Sequence, residues 1–110
     1  DRIPWKVFRI SGNSMRPTIR DGDYVVATKY KTRPVNGSVA VIQHPILGRL
    51  IKRIRSIPGT ETFSASGDDD LSIESPSIGT LKEHEIEYQA KWRISPAGIS
   101  RLRITDTPAP

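Results

Sequence analysis

The sequence predicts an all-β domain, and three observations carry that prediction. Nine prolines and eight glycines are spread through the 110 residues. Short runs rich in β-branched residues lie between these breaks. No stretch shows a repeat, a heptad or a convincing helical pattern. We therefore expect curved, mostly antiparallel sheets with little or no helix.

Six strands are predicted, and turn residues separate them. Along the chain they are residues 5–10, 23–29, 38–44, 49–57, 61–66 and 86–94. The intervening turns are Asp21-Gly22, Asn36-Gly37, residues 45–48, Pro58-Gly59 and residues 67–70. Asn36-Gly37 and the short gap at Gly48 are typical of hairpin connections. Residues 1–104 then form one domain, and residues 105–110 a loose tail.

Composition excludes several classes of function. Without cysteine there is no disulfide framework, thiolate zinc site, iron–sulfur cluster or cysteine nucleophile. The net charge is +5, but the basic residues are dispersed and aromatics are few, so nucleic acid is not the expected partner. The longest apolar run, residues 39–42, is far shorter than a membrane helix. The chain starts at Asp1, so we expect a trimmed N-terminus, which leaves the localisation and any upstream membrane anchor open.

The fourth predicted strand places one lysine on an apolar face. Because side chains alternate along a strand, one face would carry residues suited to solvent: Arg49, Ile51, Arg53 and Arg55. The opposite face would carry Leu50, Lys52, Ile54 and Ser56. Lys52 either extends its ammonium to water or is buried. Burial lowers the pKa of a lysine, and a neutral amine can act as a general base.

Ser14 is the candidate nucleophile for such a base. It lies in residues 11–19, which break the strand pattern, two positions after the flexible Gly12. The plain alternative is an ordinary serine-rich turn. A Ser–Lys pair is a known variant of the catalytic triad. The two histidines fit a triad poorly, because His44 precedes Pro45 in a turn and His84 lies in a charged stretch.

Four segments in order resemble the motifs of the signal peptidase I family. Residues 11–19 (SGNSMRPTI) and 21–23 (DGD) are similar to its nucleophile motif. Residues 35–41 (VNGSVAV) with His44-Pro45 resemble its intervening strand. Residues 50–54 (LIKRI) closed by Pro58-Gly59 resemble its general-base motif. Residues 67–79 resemble its last motif, so the resemblance covers about residues 7–96.

The resemblance implies a serine endopeptidase that needs no metal or cofactor. Ser14 would be the nucleophile, Lys52 the general base and Ser72 the hydroxyl that orients the lysine amine. Gly12 would leave the oxyanion to backbone amides, including that of Ser14. The resemblance also implies an apolar cleft, with Met15 and Pro17 in contact with an extended precursor protein.

Departures from the family pattern and rival interpretations remain open. Asp69, Glu74 and Pro76 differ from the residues usual in the last motif, which puts the loop around Ser72 in question. The self-cleaving repressor peptidases share several of the same motifs. Within the signal peptidase family, the His44-Pro45 turn resembles the nickel-type superoxide dismutase maturation proteases. A maturation protease would be cytoplasmic, whereas a membrane anchor would place the site at a bilayer.

Two further interpretations concern charge. A non-catalytic β-module could bind extended peptides or an acidic partner through an arginine-rich face made of Arg9, Arg49, Arg53 and Arg55. The acidic run at residues 68–70 lacks the alternating spacing of a calcium loop, so we expect a solvated turn there.

Overall fold

The computed structural model describes residues 4–69 and 78–105. In chain order its strands are β1 (Trp5–Arg9), β2 (Tyr24–Lys29), β3 (Val39–His44), β4 (Gly48–Ser56), β5 (Thr62–Ser66), β6 (Leu81–Lys82), β7 (Ile86–Ser95) and β8 (Gly98–Arg101). A single 3₁₀ turn at Glu83–Glu85 is the only helical element of these residues. The predicted all-β class is therefore confirmed.

One antiparallel sheet contains all eight strands of the described part. Its order is β1-β2-β7-β3-β4-β5-β6, and β8 pairs with β7. Register shifts occur in β2 after Val26 and in β3 after Val41, and such bulges increase the bend of a sheet. Three strands separate β1 from β4, yet the Arg49 guanidinium of β4 lies 4.8 Å from the centre of the Phe8 ring of β1. The sheet is thus strongly curved, as expected.

The six predicted strands match the observed ones to within one residue at each end. β6 and β8 were not predicted. β6 has only two residues, and β8 begins at a glycine and is exposed throughout, so neither carries an alternating apolar pattern. The hairpin predicted at Gly48 joins β3 to β4. The hairpin predicted at Asn36-Gly37 is wrong, because β2 pairs with β1 and β7 and not with β3.

Two apolar clusters form the core, on opposite faces of the strands around β3. The first contains Ile10, Met15, Ile19, Val25, Val39, Ala90 and Leu102, and the second contains Ala40, Ile42, Ile54, Phe63, Ile78, Leu81 and Ile86. Both faces of β3 are therefore covered by protein. Four consecutive buried residues, 39–42, are the sequence signature of this environment.

The prediction that one face of β4 is exposed to solvent is wrong for Ile51 and Arg53. Ile51 packs against the first cluster, and the Arg53 residue is only 5% exposed. The opposite face behaves as predicted, since Leu50 and Ile54 belong to the second cluster or pack against it. The alternation of side chains predicted which residues of β4 share a face. It did not predict that the face with Ile51 and Arg53 is covered by other parts of the protein.

Gly37 joins the turn before β3 to the end of the described chain. Its carbonyl accepts a hydrogen bond from the Thr105 N–H at 3.0 Å. The Thr105 carbonyl in turn accepts one from Arg55 Nη1 at 2.9 Å. Thr105, the first residue of the expected tail, is thus fixed by two hydrogen bonds, and residues 106–110 lie outside the described part. Over residues 4–69 and 78–105 we find no helix with the length and apolar character needed to span a membrane.

Gly37→Ala should destabilise the fold more than Gly59→Ala does. Gly37 has φ +83°, and an added Cβ would overlap the Thr105 carbonyl. Gly59 has φ +78° with open space around it, so Gly59→Ala isolates the backbone strain. We expect Gly59→Ala to cost about 1 kcal/mol. Gly37→Ala should cost about 2 kcal/mol more, because of the clash. Urea unfolding measures both, and equal losses would contradict the proposed packing of Gly37 on Thr105.

Candidate active site

The Ser14 loop is anchored by its own apolar side chains. Met15 is 1% exposed and Ile19 is fully buried, and both belong to the first core cluster. Two backbone hydrogen bonds tighten the loop, from Arg16 N–H to the Asn13 carbonyl and from Ile19 N–H to the Met15 carbonyl. The Met15 side chain therefore holds the loop on the core, and it is absent from the described lining of the cleft that contains Ser14.

Asp21 fixes the start of the same loop. The Gly12 N–H donates to Asp21 Oδ1 at 2.7 Å, and the Asp21 N–H donates to Asn13 Oδ1 at 3.1 Å. Gly12 adopts φ +86°, a conformation that glycine reaches without strain. Its amide is thus engaged with a carboxylate. The part expected of Gly12 in the oxyanion region remains a prediction.

A second loop, residues 67–69, lies against the Ser14 loop and is bonded to it at three points. The Asp69 N–H donates to the Ser14 carbonyl at 3.0 Å. The Thr18 hydroxyl donates to Asp68 Oδ2 at 2.5 Å, and Arg16 Nε donates to Asp69 Oδ2 at 2.8 Å. The expected solvated turn is therefore wrong for Asp68 and Asp69, whose carboxylates are partly buried and hold the neighbouring loop.

β4 carries Lys52 and, directly after it, Arg53. Lys52 is half-buried and pairs with the buried Ala40 of β3. Arg53 binds Asp68 with two parallel bonds, Nε to Oδ1 at 2.9 Å and Nη2 to Oδ2 at 2.7 Å. Its Nη1 donates to the carbonyls of Gly37 and Arg103. Asp68 is thus bonded both to β4 and to the Ser14 loop.

The environment of Asp68 changes its acidity. Burial alone would raise the pKa of this carboxyl. The hydrogen bonds from Arg53 and Thr18, with the positive charges of Arg53 and Arg55, outweigh burial and lower the pKa below its usual value. The carboxylate is therefore the form that the folded protein stabilises.

Ser14 and Lys52 line the same cleft, whose volume is about 250 Å³. Its apolar walls are Phe8, Ile10, Val41, Leu50 and Ile51, and its polar residues beside the pair are Arg9, Ser11 and Arg49. The fold thus brings together two residues that are distant in sequence. The cleft therefore combines a hydroxyl and an amine with apolar walls that suit an apolar ligand.

The other residues expected at the site have different outcomes. Pro17 lines a separate groove with Thr18, Asp68 and Asp69. Ser72, Glu74 and Pro76 lie outside the described residues, as does Asp70.

His44 has a structural position. It is buried, and its Nδ1 accepts the N–H groups of Ile46 and Leu47. Nε2 therefore carries the proton and donates to the Ile78 carbonyl at 3.1 Å. His84 is exposed on the 3₁₀ turn, and neither histidine is among the described residues of the Ser14 cleft.

The Arg53–Asp68 pair was missed by sequence reasoning. The sequence pattern predicts a solvent-facing Arg53 and a solvated turn at Asp68. The one sequence feature that could have indicated a buried Arg53 is its position on β4, which pairs with the strand β3 that is buried on both faces. A charged residue facing a covered side needs a partner of opposite charge, and Asp68 is that partner.

Comparison with known protein families identifies the class of this protein. The family model described as "Signal peptidase, peptidase S26" matches residues 2–97. No curated protein matches the chain. The protein belongs to the signal peptidase family, which confirms the resemblance drawn from its four motifs. Its class is that of a serine peptidase of the signal peptidase type, and its substrate is a peptide or protein.

Asp68→Asn should destabilise the protein at pH values above the usual pKa of an aspartate. The variant should also lose less stability than the unaltered protein when the pH is lowered. Since the folded-state pKa is lowered, Asp68 contributes stability above its unfolded pKa and loses it as pH falls through the folded one. We expect a loss of about 3 kcal/mol at neutral pH, because Arg53 is left buried without its partner. Urea unfolding between neutral and strongly acid pH measures the loss, which should shrink towards acid.

Glu83→Gln is the matched control. It breaks the exposed Arg33–Glu83 pair and should cost less than about 1 kcal/mol. A similar cost for both variants, or an Asp68→Asn effect that does not change with pH, would contradict the assigned part of Asp68.

Proposed function

We propose that the protein is an endopeptidase in which Ser14 is the nucleophile and Lys52 the general base. The observation that carries this proposal is the cleft that both residues line. Membership of the signal peptidase family supports it, since the class is that of serine peptidases. The half-buried position of Lys52 between Leu50 and Ile54 also favours it, because such surroundings disfavour a charged amine.

The mechanism begins with a proton transfer. The neutral Lys52 amine takes the proton of the Ser14 hydroxyl, and Ser14 Oγ attacks the scissile carbonyl carbon. The Ser14 N–H stabilises the resulting oxyanion. The Lys52 ammonium then gives its proton to the leaving amine, and an acyl-enzyme ester remains on Ser14.

Hydrolysis of the ester completes the cycle with the same base. Lys52 takes a proton from a water molecule, and the hydroxide attacks the ester carbonyl carbon. The Ser14 oxygen leaves with the proton returned from Lys52, and the new carboxyl end of the product is released. Ser72 is proposed to orient the Lys52 amine through its hydroxyl, and Gly12 to allow close approach of the substrate backbone. Both attacks begin with a neutral Lys52 amine that takes up a proton, so activity should rise with pH.

The proposed substrate is a precursor protein bound in an extended conformation. β1 is the first strand in the sheet order, with one side unpaired among the described strands, and Phe8 and Arg9 of β1 line the cleft. A peptide could therefore add to this edge as a further strand. The product is a mature protein freed of an N-terminal extension. The His44-Pro45 turn favours the precursor of a nickel-type superoxide dismutase as substrate.

The two rival functions have less support. The signal peptidase family model matches residues 2–97, which include the segments around Ser14 and Lys52. This match favours the signal peptidase family over the self-cleaving repressor peptidases. A binding module that uses the arginine-rich face would lose Arg53, which is buried and paired with Asp68.

Ser14→Ala and Lys52→Ala should each abolish cleavage, by at least about a thousandfold, since each removes a partner of the proton transfer. Lys52→Arg should fail equally, because a guanidinium does not give up its proton in proteins. The assay is incubation with a panel of precursor proteins, the nickel-type superoxide dismutase precursor among them, followed by intact-mass measurement.

Ser64→Ala is the matched control for the nucleophile, since Ser64 is exposed on β5 and is outside the described lining of the Ser14 cleft. Lys31→Ala is the control for the base, since Lys31 is exposed and is outside the described lining of the same cleft. Both should cleave as well as the unaltered protein, and circular dichroism should be the same for all variants. Cleavage by Ser14→Ala or Lys52→Ala would refute the dyad.

A further inference from the structure

A second groove is lined by part of the Ser14 loop and by residues 67–69. Its volume is about 630 Å³, and Pro17, Thr18, Asp68 and Asp69 form one of its walls. Ser14 is three residues from Pro17 and accepts a hydrogen bond from Asp69. A ligand in this groove would therefore lie close to the Ser14 loop without occupying the cleft that contains Lys52.

Arginine dominates the rest of the lining. Five are present: Arg53, Arg55, Arg93, Arg101 and Arg103. Two of them are neutralised, because Arg53 pairs with Asp68 and Arg93 pairs with Asp23 at 2.7 Å. Asp69, the other carboxylate of the lining, pairs with Arg16. The charge that the groove offers to a ligand thus comes from the remaining three arginines.

Those three have no carboxylate partner among the residues that the structure describes. Arg55 Nη1 donates to the Thr105 carbonyl, and the Arg55 charge acts on Asp68 without forming an ion pair with it. The Arg101 guanidinium lies over the Trp92 ring at 5.3 Å, and Arg103 is exposed. Guanidinium groups bind carboxylates through two parallel hydrogen bonds. The groove is therefore suited to a ligand with several negative charges.

We propose that this groove binds an acidic segment of the polypeptide substrate, outside the residues that flank the scissile bond. The inference rests on the proposed function, since it names a feature of the same substrate. The volume lies in the range of sites that hold ligands well beyond a single carboxylate. Nucleic acid is disfavoured, because the described lining includes no aromatic side chain on which a base could stack. The Ser100 side chain adds a hydroxyl that can donate to a carboxylate ligand.

The test measures binding separately from cleavage. A fluorescein-labelled hexaglutamate peptide is titrated against the full chain carrying Ser14→Ala, and fluorescence anisotropy reports the dissociation constant. A hexaglutamine peptide with the same label is the uncharged reference. We expect binding of hexaglutamate alone, weakened as salt is raised.

Variants then locate the site. Arg103→Ser should weaken hexaglutamate binding several-fold, and Arg101→Ser with Arg103→Ser about tenfold, since each exposed ion pair contributes modestly. Arg33→Ser removes the same charge from a residue outside the groove and should leave binding unchanged. If the double variant unfolds, Arg103→Glu provides the same test, because the main-chain carbonyl bound by Arg53 is kept.

Three results would overturn the proposal: no binding of hexaglutamate, equal weakening by Arg33→Ser and Arg103→Ser, or tighter binding of a thymidine hexanucleotide than of hexaglutamate. Failure of the proposed function has a different signature. Precursor cleavage would then persist in the Ser14→Ala protein, whatever that protein does with hexaglutamate.

Discussion

The bidentate pair between Arg53 and Asp68 is the interaction on which the site depends. Arg53 follows Lys52 on β4, and Asp68 precedes Asp69, whose N–H holds the Ser14 carbonyl. A short path of covalent and hydrogen bonds thus connects the two proposed catalytic residues. Because Arg53 is buried, its two bonds to Asp68 are shielded from competing water, and the position of the loop is fixed accordingly.

β4 can support this arrangement because both of its faces are covered. Neighbouring residues of a strand point to opposite faces, so Lys52 can line the Ser14 cleft while Arg53 binds Asp68. A strand with one face in water could not half-bury Lys52 and also bury Arg53. The curvature that brings β1 over β4, seen in the contact of Arg49 with Phe8, is therefore a requirement of the site as well as of the core.

Local patterns predicted the strands, because each depends on residues near one another in sequence. They also predicted that Leu50, Lys52 and Ile54 share a face. The failures depend on contacts distant in sequence. Arg53 and Asp68 are fifteen residues apart, and neither position shows from its neighbours that it will be buried. Asn36-Gly37 has the residues of a hairpin turn, but β7 lies between β2 and β3 and uses their edges.

The distribution of charge shows how much depends on the fold. Along the sequence the basic residues are dispersed, which argues against nucleic acid as a partner. The sheet gathers Arg53 and Arg55 of β4, Arg93 of β7, and Arg101 of β8 with the following Arg103 around one groove. Of these, the pairs with Asp68 and Asp23 stabilise the structure. Arg55, Arg101 and Arg103 are the ones proposed to bind a ligand. One cluster of arginines thus includes residues that hold the Ser14 loop in place and residues that line the adjacent groove.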